Sequence, residues 1–184
     1  MLAGATLLAA LAALAACTGA GPSDPGDVRD SVTSTVTPSP ATSASPADIA
    51  GEQALAAYVG MWNDMVEAAR TSNWKDPELG RYATKDALRV ITGSLYADHR
   101  SGVITKGRPT YDPEVISVRP QNVPTIVMIS DCADSSNALK YRKKDGTRVG
   151  DLGGGRRQIT AEVKSQDDGK WRVTRFAVQE LGSC

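Results

Sequence analysis

The spacing of apolar residues along the chain changes near Gly102, from a helical repeat to a strand repeat. Before Gly102, apolar residues recur at intervals of three and four, which places them on one face of an α-helix. This spacing predicts a long helix of about 22 residues with Ser45 as its N-cap. It also predicts two shorter helices, one starting at Asp76-Pro77 and one capped by Thr84.

Beyond Gly102 the apolar residues alternate with polar ones, and β-branched side chains become frequent, as is typical of strands. Helices followed by a meander of strands predict an α+β fold, in which one long and two shorter helices pack on one face of a curved antiparallel sheet. The predicted strands are residues 114–119, 125–133, 157–166 and 170–181, with a smaller hairpin at residues 139–149.

The last predicted strand does not keep one simple alternation. Trp171 and Val173 fall on one face of the strand, whereas Phe176 and Val178 fall on the other. Either a β-bulge near Arg175 shifts the register, or both faces of the sheet are covered. A covered outer face would imply a homodimer through the sheet face or another protein partner.

The N-terminal stretch is almost wholly apolar up to Cys17. Residues 2–16 are too few for the roughly 20 apolar residues of a membrane-spanning helix, but they suit the core of a signal peptide. The residues 14–17, Leu-Ala-Ala-Cys, resemble the bacterial lipobox. Residues 1–16 are therefore predicted to be a lipoprotein signal peptide, and a lipid on Cys17 would hold the protein at the outer face of the cytoplasmic membrane. The alternative is an ordinary secretory signal that leaves Cys17 as an unused thiol.

Residues 17–47 contain many proline, serine and threonine residues and no large apolar side chain apart from three valines. Such a segment cannot bury enough surface to offset the entropy of ordering, so it is predicted to be a disordered tether. Residues 48–184 are then predicted to form a single α+β domain of ordinary size.

Two cysteines remain besides Cys17. An even remainder in an exported chain predicts a disulfide between Cys132 and Cys184, with two independent buried thiols as the alternative.

The overall composition excludes several classes of function. Basic and acidic residues are equal in number at 21 each, so nothing indicates nucleic-acid binding. His99 is the one histidine of the sequence, which argues against a multi-histidine metal site and against a serine-histidine-aspartate triad. We therefore predict no metal site and no cofactor.

Asp131 is the candidate catalytic residue. On a strand it faces away from Cys132 and shares a face with Val127 and Ile129, so it is expected to point into the interior. A buried carboxylate there would suit general-base work in a small isomerase or hydrolase. The alternative is a structural carboxylate paired with Arg172, Arg175 or a loop amide.

Two further sets of residues are candidates for binding. A set of aromatic residues and one methionine in the helical part could line a ligand cavity, although such a stripe is also typical of simple core. A cluster of basic residues around a Gly-rich tip could contact anionic lipid headgroups or wall polymers, or could be a solvated hairpin. The first set is Tyr58, Trp62, Met65, Trp74, Tyr82 and Tyr96, and the second is Lys140, Arg142, Lys143, Lys144, Arg148, Arg156 and Arg157.

The order of these elements, ending in a Trp-Arg-Val strand, resembles the nuclear transport factor 2-like superfamily, a cone-shaped α+β fold related to cystatin. More narrowly, Val127 to Asp134 (VMISDCAD) and Arg156 to Cys184 look like segments of uncharacterised secreted lipoproteins of high-GC Gram-positive, actinobacterial-type bacteria. Members of the superfamily include isomerases, hydratases, polyketide cyclases and non-catalytic binding domains, so the resemblance leaves the function open.

We therefore expect an extracytoplasmic, membrane-anchored lipoprotein whose domain binds a small apolar ligand or an envelope protein without catalysis. The alternative is a small acid/base enzyme centred on Asp131, and a third possibility is a purely protein-interaction domain.

Overall fold

A computed structural model describes residues 43–150 and 154–184 of the chain. The predicted signal peptide, the lipidation site Cys17 and most of the predicted tether lie outside the described residues. Within the part of the chain that is described, no helix is both long and apolar enough to cross a membrane.

Three helices occupy the first part of the domain: α1 (Pro46–Ala69), α2 (Leu79–Tyr82) and α3 (Lys85–Arg100). Ser45 caps α1, because its hydroxyl accepts a hydrogen bond from the Asp48 backbone N–H at 3.2 Å and its own N–H donates to the Asp48 carboxylate at 3.0 Å. The helix therefore begins at Pro46, and residues 46–47, which the sequence analysis assigned to the tether, belong to α1.

Six strands follow: β1 (Val103–Lys106), β2 (Pro113–Arg119), β3 (Ile126–Asp134), β4 (Leu139–Arg142), β5 (Arg156–Ser165) and β6 (Trp171–Val178). Four of them form an antiparallel sheet in the order β2-β3-β5-β6, while β1 and β4 pair in a separate two-stranded sheet. The pattern analysis missed β1, because four residues give too short an alternation and the partner strand is distant in sequence.

The helices α1 and α3 pack on one face of the four-stranded sheet, which confirms the predicted α+β class. Between the two layers, side chains from both are fully buried and form the core. The largest of them are Tyr58, Met61, Ile91, Leu95, Val127, Ile129, Val163 and Val173.

A β-bulge in β6 resolves the conflicting alternation of the last strand. Glu162 of β5 pairs with Arg175, and the next residue of β5 pairs with Val173, so Thr174 is the extra residue. The bulge near Arg175 is thus confirmed. It brings Phe176 and Val178 onto the same inner face as Val173, because their partners on β5 are inward-facing.

The outer face of the sheet carries a polar cluster around Glu162. Burial acts to raise the pKa of Glu162, but hydrogen bonds from Thr174 at 2.6 Å and from Lys164, together with the charge of Arg175 at 3.0 Å, outweigh it and leave that pKa below its usual value. The homodimer through this face stays a prediction.

The predicted disulfide between Cys132 and Cys184 is present, with the two Cα atoms 5.9 Å apart. It fixes residues 179–184, which we call the C-terminal strap, along the first residues of β5. The Gln179 N–H donates to the carbonyl of Gln158 at 2.8 Å, and the Gly182 N–H donates to the carbonyl of Arg156 at 2.8 Å. The strap thus continues the pairing of β6 beyond the end of that strand.

Gly60 allows α1 and α2 to approach closely. A Cβ at this position would lie 2.5 Å from the Tyr82 ring, whereas a Cβ at Gly93, on the exposed side of α3, would meet nothing within 4 Å. We expect Gly60→Ala to lower the free energy of unfolding by about 1–3 kcal/mol through overpacking. Gly93→Ala is the matched control, and it should raise stability by up to about 1 kcal/mol, because alanine favours the helix. Urea denaturation of both variants measures the difference, and equal effects would contradict the close packing.

Candidate functional site

A cavity of about 490 Å³ lies where α1, the two-stranded sheet and one end of the four-stranded sheet meet. This volume is within the range of small-molecule sites. Most of its lining is apolar and comes from elements far apart in sequence. The apolar lining residues are Trp62, Met65, Val66, Ala69, Pro109, Tyr111, Ala133, Ala138, Leu139, Val149, Ile159 and Val178.

The inner wall of the cavity is aromatic. The Trp62 ring of α1 stacks on Tyr111, with centroids 5.8 Å apart and planes inclined by 16°. Phe176 contacts Trp62 edge to face at 5.2 Å, and Tyr58 does so at 6.1 Å. These contacts fix the orientation of Trp62, so the wall is rigid before any ligand enters.

Two polar atoms of this wall are buried without a hydrogen-bond partner among the described residues: Trp62 Nε1 and the Tyr111 hydroxyl. Burial raises the pKa of Tyr111, and the nearby charge of Asp131 raises it further, so the phenol stays protonated. A buried donor without a partner costs about 1–3 kcal/mol. The aromatic packing of the wall therefore has to offset the cost of these two unpaired groups.

Asp131 lies behind the aromatic wall, and the residue is 1% exposed. Its carboxylate accepts hydrogen bonds from the Tyr58 hydroxyl at 2.8 Å and from the backbone N–H of Asp112 at 2.8 Å. Burial, the hydrogen bond to Asp131 and the charge of that carboxylate raise the pKa of Tyr58. The carboxylate thus joins α1 and β3 to the loop that precedes β2.

This geometry bears on the two interpretations of Asp131. The prediction that it points inward is confirmed, and its partners include a loop amide, as the structural alternative expected. The two arginines considered as partners pair elsewhere: Arg172 with Asp168 at 2.8 Å and Arg175 with Glu162 at 3.0 Å. Asp131 is not among the residues that line the cavity.

The rim of the cavity is cationic. Lys140, Arg148 and Arg157 line it, and no carboxylate is found in the lining among residues 43–150 and 154–184. Lys140 contacts Asp98 of α3 at 2.6 Å. Arg157 donates from one guanidinium nitrogen to the carbonyl of Gln179 in the C-terminal strap at 3.1 Å.

Only two of the six residues predicted to line a pocket contribute to this cavity. Trp62 and Met65 line the cavity. Tyr82 lies against Gly60, and Tyr58 lies behind the wall. Trp74 and Tyr96 pack edge to face at 5.1 Å in grooves beside α3, away from this cavity. Trp74 lies between α1 and α2, outside any helix, and Tyr96 lies on the exposed side of α3.

The remaining basic residues of the predicted anionic-surface cluster contact different parts of the domain. Arg142 and Lys144 are exposed, and the Lys143 ammonium donates to the Thr71 carbonyl. Arg156 contacts the disulfide sulfur of Cys132 at 3.1 Å. The anionic-surface contact stays a prediction.

Sequence reasoning missed most of the cavity, and Tyr111 above all. This residue lies in the loop between β1 and β2, outside any periodic segment. Its one signal in the sequence is a large aromatic residue between Pro109 and Pro113, where a rigid loop is expected. Among the described residues, no group of three or more histidine, cysteine, aspartate or glutamate side chains could hold a metal ion.

No protein-family model matches the sequence, and no curated protein matches it. Solved structures do resemble it. The intermembrane space region of chloroplast protein ARC6 has a TM-score of 0.50 at 15% identity and covers 72% of this chain and 97% of its own.

A ketosteroid isomerase-like protein from Erwinia carotovora atroseptica has a TM-score of 0.46 at 11% identity, covering 70% of this chain and 93% of its own. A Nostoc punctiforme protein of unknown function with a cystatin-like fold has a TM-score of 0.40 at 9% identity, covering 74% and 92%. The α+β class of this domain follows from its own helices and antiparallel sheet. At these identities the likeness concerns the fold alone.

We expect Asp131→Asn to lower the free energy of unfolding by about 1–3 kcal/mol, because the amide group cannot accept both hydrogen bonds as well as a carboxylate does. Asp112→Asn is the matched control: its side chain is exposed and only its backbone N–H takes part, so its effect should stay within about 0.5 kcal/mol. Urea denaturation compares the two variants. Equal stabilities would show that Asp131 does not hold the domain together.

Proposed function

We propose that this protein is an exported lipoprotein whose domain binds a small, mainly apolar molecule in the cavity without chemical change. The observation that carries the proposal is the cavity itself, with an apolar lining and the rigid wall of Trp62 and Tyr111. A preformed apolar cavity with a few polar groups is the usual form of a small-molecule site.

Binding is favoured over catalysis by the position of Asp131. General-base catalysis needs a carboxylate within hydrogen-bond reach of the substrate. The Asp131 side chain does not line the cavity, and both of its oxygens accept hydrogen bonds from the protein. Asp131 thus supports the binding site by holding the wall in place.

Export and lipid anchoring are proposed from the sequence. The apolar run that ends at Cys17 supports them, and a disulfide is typical of proteins that leave the reducing cytoplasm. A lipid on Cys17 would keep the domain at the outer face of the membrane, where it would meet apolar molecules of the envelope.

Filling the cavity should abolish ligand binding. The uncharged fluorescent dye N-phenylnaphthylamine should bind the purified full chain with increased emission, because the apolar lining is less polar than water. Ala138→Trp, at a lining position, should weaken the binding at least tenfold, about 1.4 kcal/mol. Ala177→Trp on the outer side of β6 is the matched control and should leave dye binding unchanged.

Circular dichroism spectra of both tryptophan variants verify that they fold. Equal dye binding by the two folded variants, or no binding by the unchanged chain, would contradict the proposal.

Processing at Cys17 tests the proposed location. In a Gram-positive host, mass spectrometry of the membrane fraction should find a mature N-terminus at Cys17 with a diacylglyceryl group attached. Cys17→Ser should remove the modification and release the chain from the membrane fraction. An unmodified Cys17 in the exported protein would show that the anchor proposal is wrong.

A further inference from the structure

We infer that the ligand of the cavity is an anionic amphiphile, a molecule with one apolar chain and one anionic head group. This inference rests on the proposed function and adds the chemical class of the ligand. It follows from a lining that combines buried apolar side chains with more exposed basic ones. Fatty acids, with a carboxylate head, and lysophospholipids, with a phosphate head, share this chemistry.

The apolar part of the ligand lies on the inner wall. Trp62, Met65 and Tyr111 present ring and thioether surface there, which favours methylene groups over water by about 25 cal/mol for each Å² buried. Aromatic rings held in place by stacking lose little further freedom when a chain packs on them.

The head group does not lie at the inner wall. Asp131 is behind that wall and its negative charge already acts on Tyr111. A second anion placed there would be repelled in surroundings of low polarity. An anionic head is therefore directed to the solvent-exposed side of the cavity, where the basic lining residues lie.

The rim provides the complementary charge. Arg148 is exposed and Arg157 is half-buried, and both line the cavity. A guanidinium group has five N–H donors arranged as a fork that matches a carboxylate or a phosphate. Arg157 donates from Nη1 to the Gln179 carbonyl, so the C-terminal strap fixes its direction before the ligand arrives.

The disulfide contributes to this arrangement. Cys184 ends the strap, and its bond to Cys132 holds the strap on β5, the strand that bears Arg157. One covalent link thus fixes the position of a head-group contact, and preorganised contacts of this kind cost less entropy on binding.

The test compares three ligands with the same ten-carbon chain: decanoate, decyl phosphate and decanol. Each is titrated against the dye-loaded full chain carrying Cys17→Ser, so that no acyl group of the protein itself competes for the cavity. We expect at least one of the two anions to displace the dye about tenfold more tightly than decanol. The tighter of the two identifies a carboxylate or a phosphate head.

The double variant Arg148→Gln/Arg157→Gln should remove this preference and leave the affinity for decanol unchanged, since glutamine keeps a hydrogen-bond donor without the charge. The matched control is Arg89→Gln/Arg100→Gln on α3, which lowers the net charge equally at two positions outside the cavity lining. This control variant should still bind the anions more tightly than decanol. Raising the salt concentration should weaken the binding of both anions and leave the binding of decanol unchanged.

Equal affinity of decanol and both anions, or an equal loss of preference in both double variants, would overturn the inference and leave the proposed binding function intact. Failure of the dye and of all three ligands to bind would instead overturn the proposed function itself. The two failures are therefore distinguishable.

Discussion

The hydrogen bonds of the buried Asp131 carboxylate are the contact on which the rest of the site depends. They join the Tyr58 hydroxyl of α1 and the backbone of Asp112 to β3. Because α1 carries Trp62 and the loop carries Tyr111, one carboxylate fixes the two rings of the cavity wall against each other. A buried charge persists only where such bonds satisfy it, so the wall and the carboxylate depend on each other.

Two features of β6 and the residues after it complete the cavity. The bulge at Thr174 turns Phe176 and Val178 inward, so that Val178 reaches the lining. The disulfide at Cys184 then holds the C-terminal strap along β5, and the Gln179 carbonyl of the strap accepts a hydrogen bond from Arg157. Val178 of the apolar lining and the carbonyl that holds Arg157 thus come from neighbouring residues, whereas the rest of the lining comes from distant parts of the chain.

The fold alone does not choose between binding and catalysis, since the same architecture supports both. The choice depends on where the polar groups stand relative to the cavity. Here a carboxylate lies behind the wall and guanidinium groups lie at the rim. This placement of the charged groups suits the binding of an anionic ligand by its head group better than the activation of a substrate by a base.

Local patterns in the sequence predicted the helices, the main strands and the disulfide partner of Cys132, because each depends on short-range periodicity or on counting. They offered the bulge near Arg175 as one of two explanations for the last strand, and the structure decided between them. The tertiary structure alone decided the short strand β1 and the composition of the cavity. Trp74 lies between α1 and α2, and Tyr96 lies on the exposed side of α3, where the two rings pack on each other outside the cavity. Tyr111 belongs to a loop whose position is set by a hydrogen bond to Asp131, about twenty residues away in sequence. Contacts between distant residues have no period, and for that reason the sequence predicted the frame of this domain but only some of the residues of its site.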